Sequence, residues 1–196
     1  MILKFITASV VILVALASQS ATAQTQTQTQ TQKLIADQST VSFVSKQMGV
    51  PVEGKFSKVD ASIAFDPKKP ETSKIQVVMD INSAVIGDAE TVRELRKPAW
   101  FDAVKFPTAT FTATSVKALG GNRFDVAGSL AIKGNVKAVS TIVTLSQKAG
   151  VTLVEGTMPI KRLDFKLGDG DWNDVSLVAD EVVIKIKLAV SGIAAL

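Results

Sequence analysis

The sequence predicts an all-β fold of antiparallel strands, packed as a sandwich or closed as a barrel. Three observations carry that prediction. Apolar residues recur at every second position through most of the chain. Turn-forming residues fall between these runs at spacings suited to hairpins. Helical periodicity is confined to one short stretch near the middle.

The elements follow in chain order. Met1–Lys4 carries one positive charge, Phe5–Ala17 is an apolar run, and Ala21-Thr22-Ala23 has the small residues accepted before a signal-peptidase cut. That order predicts a cleaved secretory signal peptide over residues 1–23, with an uncleaved anchor as the alternative; the run is short for a transmembrane span. Residues 24–32 alternate Gln and Thr with nothing to bury, which reads as a disordered linker, or less simply as a sticky Gln-rich strand. One domain, residues 33–196, remains.

Within it, Val41 and Phe43 alternate with Ser42 and Val44. Ile63 and Phe65 follow, then Ile75, Val77, Met79 and Ile81, and then Ala109, Phe111 and Ala113 among threonines. Phe124, Val126, Leu130 and Ile132 share one face of the next run. Val182, Ile184, Ile186 and Leu188 face one way in the last, with Lys185 and Lys187 opposite. Turn signals stand at Asp66-Pro67 to Pro70, Gly120-Gly121-Asn122, Gly134-Asn135, Ala149-Gly150 and Asp169-Gly170-Asp171. This gives eight to ten strands. Asp88–Lys97 breaks the rule: Asp88 is an N-cap, Val92 and Leu95 share a side, and Pro98 ends the helix. Alternation alone leaves open whether the interior is filled or holds a ligand.

Composition removes many chemistries. The 196 residues are 46% hydrophobic and 20% charged, with net charge +4 and neither His, Cys nor Tyr. A Ser-His-Asp triad, a cysteine nucleophile, a disulfide and an imidazole or thiolate metal site are therefore excluded. No Ser-x-x-Lys occurs. Asp102, Asp164 and Asp171 lie near aromatics and are the candidates for carboxylate chemistry, although turn and capping roles are commoner for Asp. Asp169–Asp174 spaces oxygens as calcium loops do, but Asp174 stands where Gly is needed and Asp180 where Glu is. A solvated turn accounts for it better. The lysines are spread along the chain, which argues against nucleic acid and leaves attraction to an anionic membrane surface as the use of the basic balance. The expectation is a non-enzymatic protein without metal or cofactor.

Six segments in register carry a family resemblance. They are Asp37–Phe43, Lys46–Phe56, Ile63–Pro67, Trp100-Phe101-Asp102 with Phe106–Phe111, Gly128–Gly134, and Arg162–Gly168 leading into Gly170-Asp171-Trp172. In this order and at these distances the chain, from about Leu34 to Val190, resembles the YceI-like family of exported lipid-binding proteins. The resemblance implies a lipocalin-like antiparallel barrel, a periplasmic location, and an apolar cavity for a polyisoprenoid or similar long-chain lipid, with no catalytic motif. The oligomeric state stays open, a dimer included. The in-phase apolar residues Phe43, Phe56, Phe65, Met79, Phe111, Phe124, Leu130 and Phe165 are the ligand-facing candidates, with Trp100 and Phe101 gating the mouth. Two positions depart from the pattern: Lys137 precedes Ala138-Val139 where a Pro is common, and Lys166 stands at a position often held by Gly. The competing reading is a filled β core serving as an envelope structural or stress-associated interaction protein.

Overall fold

Tight hairpins set the architecture. The computed structural model describes residues 31–196; the expected signal segment and residues 24–30 of the Gln/Thr tract lie outside them. Gln32, at the end of that tract, is docked: its side-chain amide donates to the Phe65 carbonyl and its oxygen accepts from the Phe65 amide.

The strands are β1 (Lys33–Leu34), β2 (Thr40–Gln47), β3 (Val50–Phe56), β4 (Val59–Ala64), β5 (Lys74–Asp80), β6 (Ala84–Ile86), β7 (Thr108–Gly120), β8 (Arg123–Ile132), β9 (Asn135–Lys148), β10 (Val151–Lys161) and β11 (Glu181–Ser191). They form one antiparallel sheet in the order β4-β5-β7-β8-β9-β10-β11-β2-β3-β6, with β1 added to β11. Four connections are two-residue loops: Met48-Gly49, Gly121-Asn122, Lys133-Gly134 and Ala149-Gly150, each with positive φ at both residues. That is the primed turn whose twist matches the flanking strands. Gly121, Asn122, Gly134 and Gly150 are among the turn signals of the sequence, whereas the Met48-Gly49 turn is not.

The sheet curls because β3 runs on into β4 and β5 into β6 around a shared corner. There Ser57 N donates to the Ser83 carbonyl and Asp80 N to that of Lys58. Lys58 N donates to Ser83 Oγ, which itself donates to the Asp80 carbonyl. One half of each bent strand thus pairs at each edge of the sheet order, and the corner brings the two edges together. This is the lipocalin-like curled sheet expected, with one short helix, α1 (Ala89–Leu95). Asp88 caps it, accepting from the Glu90 and Thr91 amides.

The connections alternate between two ends. At the closed end lie the β4–β5, β7–β8 and β9–β10 turns, β1 and the C-terminal segment. At the mouth end lie the β2–β3 and β8–β9 hairpins and the two long connections, 87–107 with α1 and 162–180 between β10 and β11. Beyond Gly156 the pairing of β9 with β10 stops. The 3-10 turn Arg162–Phe165 lies against β9 in that wedge, with Asn135 donating to the Phe165 carbonyl.

Candidate functional site

Inward-facing side chains leave a cavity of about 490 Å³ inside the curl. That is within the range of small-molecule sites, and the interior is therefore not a filled core. Its wall is built by strand alternation: Val41 and Phe43 from β2, Ile75, Val77 and Met79 from β5, Phe124, Val126, Leu130 and Ile132 from β8, and the even-numbered residues Val182–Val190 from β11. On β7 a register shift between Ala113 and Ser115 changes the phase, so that Val116 follows Phe111 inward.

Of the expected residues, Phe43, Phe56, Phe65, Met79, Trp100, Phe101, Phe111, Phe124 and Leu130 line this cavity. Phe165 does not. The 3-10 turn that begins at Arg162 ends the alternation, and Phe165 is buried in the β9–β10 wedge, supporting the wall. Trp100 and Phe101 also differ from the expected gate. The chain folds back on α1, with Trp100 N donating to Lys97 and Phe101 N to Leu95, and this tucks both rings into the core. Phe101 meets Phe56 edge-on at 6.3 Å, and Trp100 packs against Trp172 at 5.8 Å. Trp172 is the more exposed ring at this end.

Two glycines shape the wall. A Cβ on Gly54 would sit 2.4 Å from Phe43 Cζ, and one on Gly128 would sit 2.7 Å from the Phe111 ring and 2.4 Å from the Thr112 carbonyl. Each glycine lets a phenyl ring lie across its backbone. Phe65 and Phe124 meet edge-on at 5.2 Å towards the closed end, where Ile193 completes the lining.

The mouth end is held by one residue that the residue-by-residue reading of the sequence passed over. Arg162 is only 1% exposed and lines the cavity. Its Nε donates to Ala179, one terminal nitrogen to Leu167 and Gly168, and the other to Trp172 and Val178, all backbone carbonyls. The guanidinium also lies 5.8 Å from the Trp100 ring centroid. Burial pulls its pKa below the ordinary value, opposed by Asp180 and Asp169. Arginine nevertheless keeps its charge in proteins. With its donors engaged, it is a staple for the 162–180 connection rather than a free cation for a ligand. The signal was present: Met158, Ile160 and Arg162 keep the inward phase of β10. The two long connections are joined as well, by the Gly168 and Asp169 amides donating to Ala99 and by Lys133 Nζ donating to Ala99 and Lys166.

The more exposed lining residues of this end, Gln47, Val52, Glu90, Thr91, Glu94 and Trp172, form the mouth. Ser45 Oγ and Trp100 Nε1 are buried without hydrogen-bond partners, and both are enclosed by neighbouring atoms. None of Asp102, Asp164 and Asp171 lines the cavity. Asp102 sits in a positive-φ turn beside Lys105. In the loop with calcium-like spacing, Asp169 faces Lys133 at 3.6 Å, and hydrogen bonding from Ser176, side chain first and backbone amide second, holds the Asp174 carboxyl below the usual range. Among the described residues, no group of three or more acidic side chains is placed to hold a metal ion, and no helix is long and apolar enough to cross a membrane.

Comparison with known proteins agrees with this architecture. BcnA of Burkholderia cenocepacia superposes with TM-score 0.77 at 41% identity, over 80% of this chain and 98% of its own. A Saccharophagus degradans domain described as polyisoprenoid binding shares the fold at TM-score 0.68 and 21% identity, over 83% of this chain and 98% of its own. A UPF0312 protein of Pseudomonas aeruginosa is 32% identical over 163 residues, 78% of this chain and 80% of that protein. An Azotobacter vinelandii relative is 38% identical over 86 residues, 44% of this chain and 45% of its own length. The profile of the YceI-like domain matches residues 33–190, so the chain belongs to the YceI-like family.

Proposed function

We propose that the protein binds a long-chain apolar lipid of the polyisoprenoid class in its cavity and sequesters or ferries it without catalysis, in the periplasm after removal of residues 1–23. The observation that carries the reading is the cavity itself. It is walled by in-phase aliphatic and aromatic residues from β2 through β11, and its buried cation is already engaged by backbone carbonyls. Each buried CH2 contributes roughly 0.8 kcal/mol, so one five-carbon unit adds about 3–4 kcal/mol as an upper bound. Several such units offset the lost rigid-body freedom with no charged contact. The Saccharophagus degradans domain, named for polyisoprenoid binding, gives this reading a chemical precedent among the related folds.

Filling the cavity tests it. Leu130 is 1% exposed and lines the wall. Leu130→Trp should abolish binding of geranylgeraniol presented in detergent while the protein stays folded, because the indole enters open space. Destabilisation by the about 1–3 kcal/mol typical of overpacking, with binding of the prenol unchanged, would count against a ligand cavity.

A further inference from the structure

The β2–β3 tip carries an apolar residue where both solvation and backbone conformation disfavour it. Met48 occupies the first position of the primed turn with φ 47°, a conformation suited to Asn, Asp or Gly, and its side chain is 76% exposed. Its amide donates to the Leu177 carbonyl at 2.8 Å, and Gln47 pairs with Val178, so the tip and the 172–177 segment form one surface. Val50, Val175 and Leu177 are exposed on these same segments, and Trp172 joins them to the cavity lining. The turns at the closed end offer Gly121-Asn122 and Ala149-Gly150 at the equivalent tips.

We infer that this surface docks the mouth onto a lipid bilayer by inserting the Met48, Val50, Val175 and Leu177 side chains. The inference rests on the lipid-binding reading only for its purpose; the surface itself is a separate observation. Four side chains are far fewer than the 20–30 residues a side of a stable protein interface, but a few apolar side chains suffice for shallow interfacial insertion. Continuity with an apolar cavity also favours hydrocarbon as the occupant. The charges beside the patch do not select anionic lipid: the segments that carry it, 46–50 and 171–177, hold one lysine, Lys46, and two aspartates, Asp171 and Asp174, and Asp169 faces Lys133. Docking therefore proceeds on uncharged membranes, unlike the anionic attraction expected from the overall basic balance.

Flotation with phosphatidylcholine vesicles, with and without phosphatidylserine, tests this on the full chain. The variants are Met48→Asp, which suits the turn, and Leu177→Ser, which is exposed; neither residue lines the cavity. The wild type should bind both vesicle types alike, and the double variant should bind about tenfold more weakly or worse. Geranylgeraniol binding from detergent should be unchanged in the variant. Absence of wild-type vesicle binding, dependence on phosphatidylserine, or equal binding by the variant would overturn the inference. So would sedimentation showing a dimer that the variant converts to monomer, since a second copy would then cover the patch. Failure of prenol binding in the wild type with vesicle docking intact would instead overturn the lipid-cavity reading alone.

Discussion

The two ends of the barrel are built differently. At the closed end, two-residue turns join β7 to β8 and β9 to β10, Phe65 and Phe124 meet edge-on inside, and Gln32 ties the N-terminal segment to Phe65. The ties there are strand ladders and apolar contacts, with a few side-chain hydrogen bonds from Gln32 and from Gln147, which donates to the Ile193 carbonyl. At the mouth, two long connections meet each other, held by backbone carbonyls around Arg162 and by Lys133. Apolar packing reaches both ends, since Trp100, Phe101, Leu167 and Val178 belong to the same core. The mouth connections depend in addition on the polar staple, and this is the region expected to open before the strands unpair.

The largest expected effect breaks the closed end. Phe65→Ala should cost about 3–5 kcal/mol and lower hydrogen-exchange protection throughout the sheet, because a buried ring leaves a void in the shared core. Urea unfolding gives the magnitude; a loss below 1 kcal/mol would show that end to be peripheral.

Arg162→Met should cost somewhat less, about 3 kcal/mol, because the abandoned carbonyls lose charge-assisted bonds. The loss should be local: exchange should accelerate across 162–180 and 96–107, with β7 and β8 unchanged. Uniform acceleration would erase the distinction between the ends.

Gly54→Ala and Gly128→Ala sharpen the comparison within the wall. At Gly54 the new methyl meets only the tip of the Phe43 ring and a side-chain carbon of Ile86, so the ring swings into the cavity. Stability should change by less than about 1 kcal/mol while prenol binding weakens. At Gly128 it meets the Thr112 carbonyl, which cannot yield, and the loss should reach about 1–3 kcal/mol. Equal costs at the two positions would contradict the picture of open space in front of Phe43.

Smaller effects lie at the mouth. The Asp88 carboxyl is held below its usual pKa by hydrogen bonds from Thr91, backbone first. A depressed folded pKa stabilises above the unfolded value near 3.8 and is lost as pH falls through the folded one. Exchange protection of the α1 first turn should therefore persist to about pH 4 and fade below it; Asp88→Ala should remove it at neutral pH. Least of all, Lys166→Gly should raise stability by about 0.5–1 kcal/mol, since Lys166 holds φ 55° and contributes its carbonyl, not its side chain, to the Lys133 bond. A decrease would assign a role to the lysine head.

The same division governs how much was legible. Gly121-Asn122, Gly134 and Ala149-Gly150 announce their turns because the primed geometry demands residues that tolerate positive φ. Alternation placed Phe43, Met79, Phe124 and Leu130 on the cavity wall, because strand parity is a local property. The β7 phase change, the Ser57–Ser83 corner and the carbonyls converging on Arg162 depend on partners far along the chain, which no local pattern encodes. Trp100 and Phe101 were found as cavity residues but misread as a gate, since their tucking depends on the return of the chain onto α1. Phe165 was misplaced because the inward phase stops at Arg162.

The central claim is that the cavity holds a long apolar chain. Native mass spectrometry of protein purified from its native host, followed by solvent extraction, tests it directly. The account predicts a stoichiometric adduct that releases a polyisoprenoid. A protein that is empty on isolation and takes up no added prenyl lipid would contradict it.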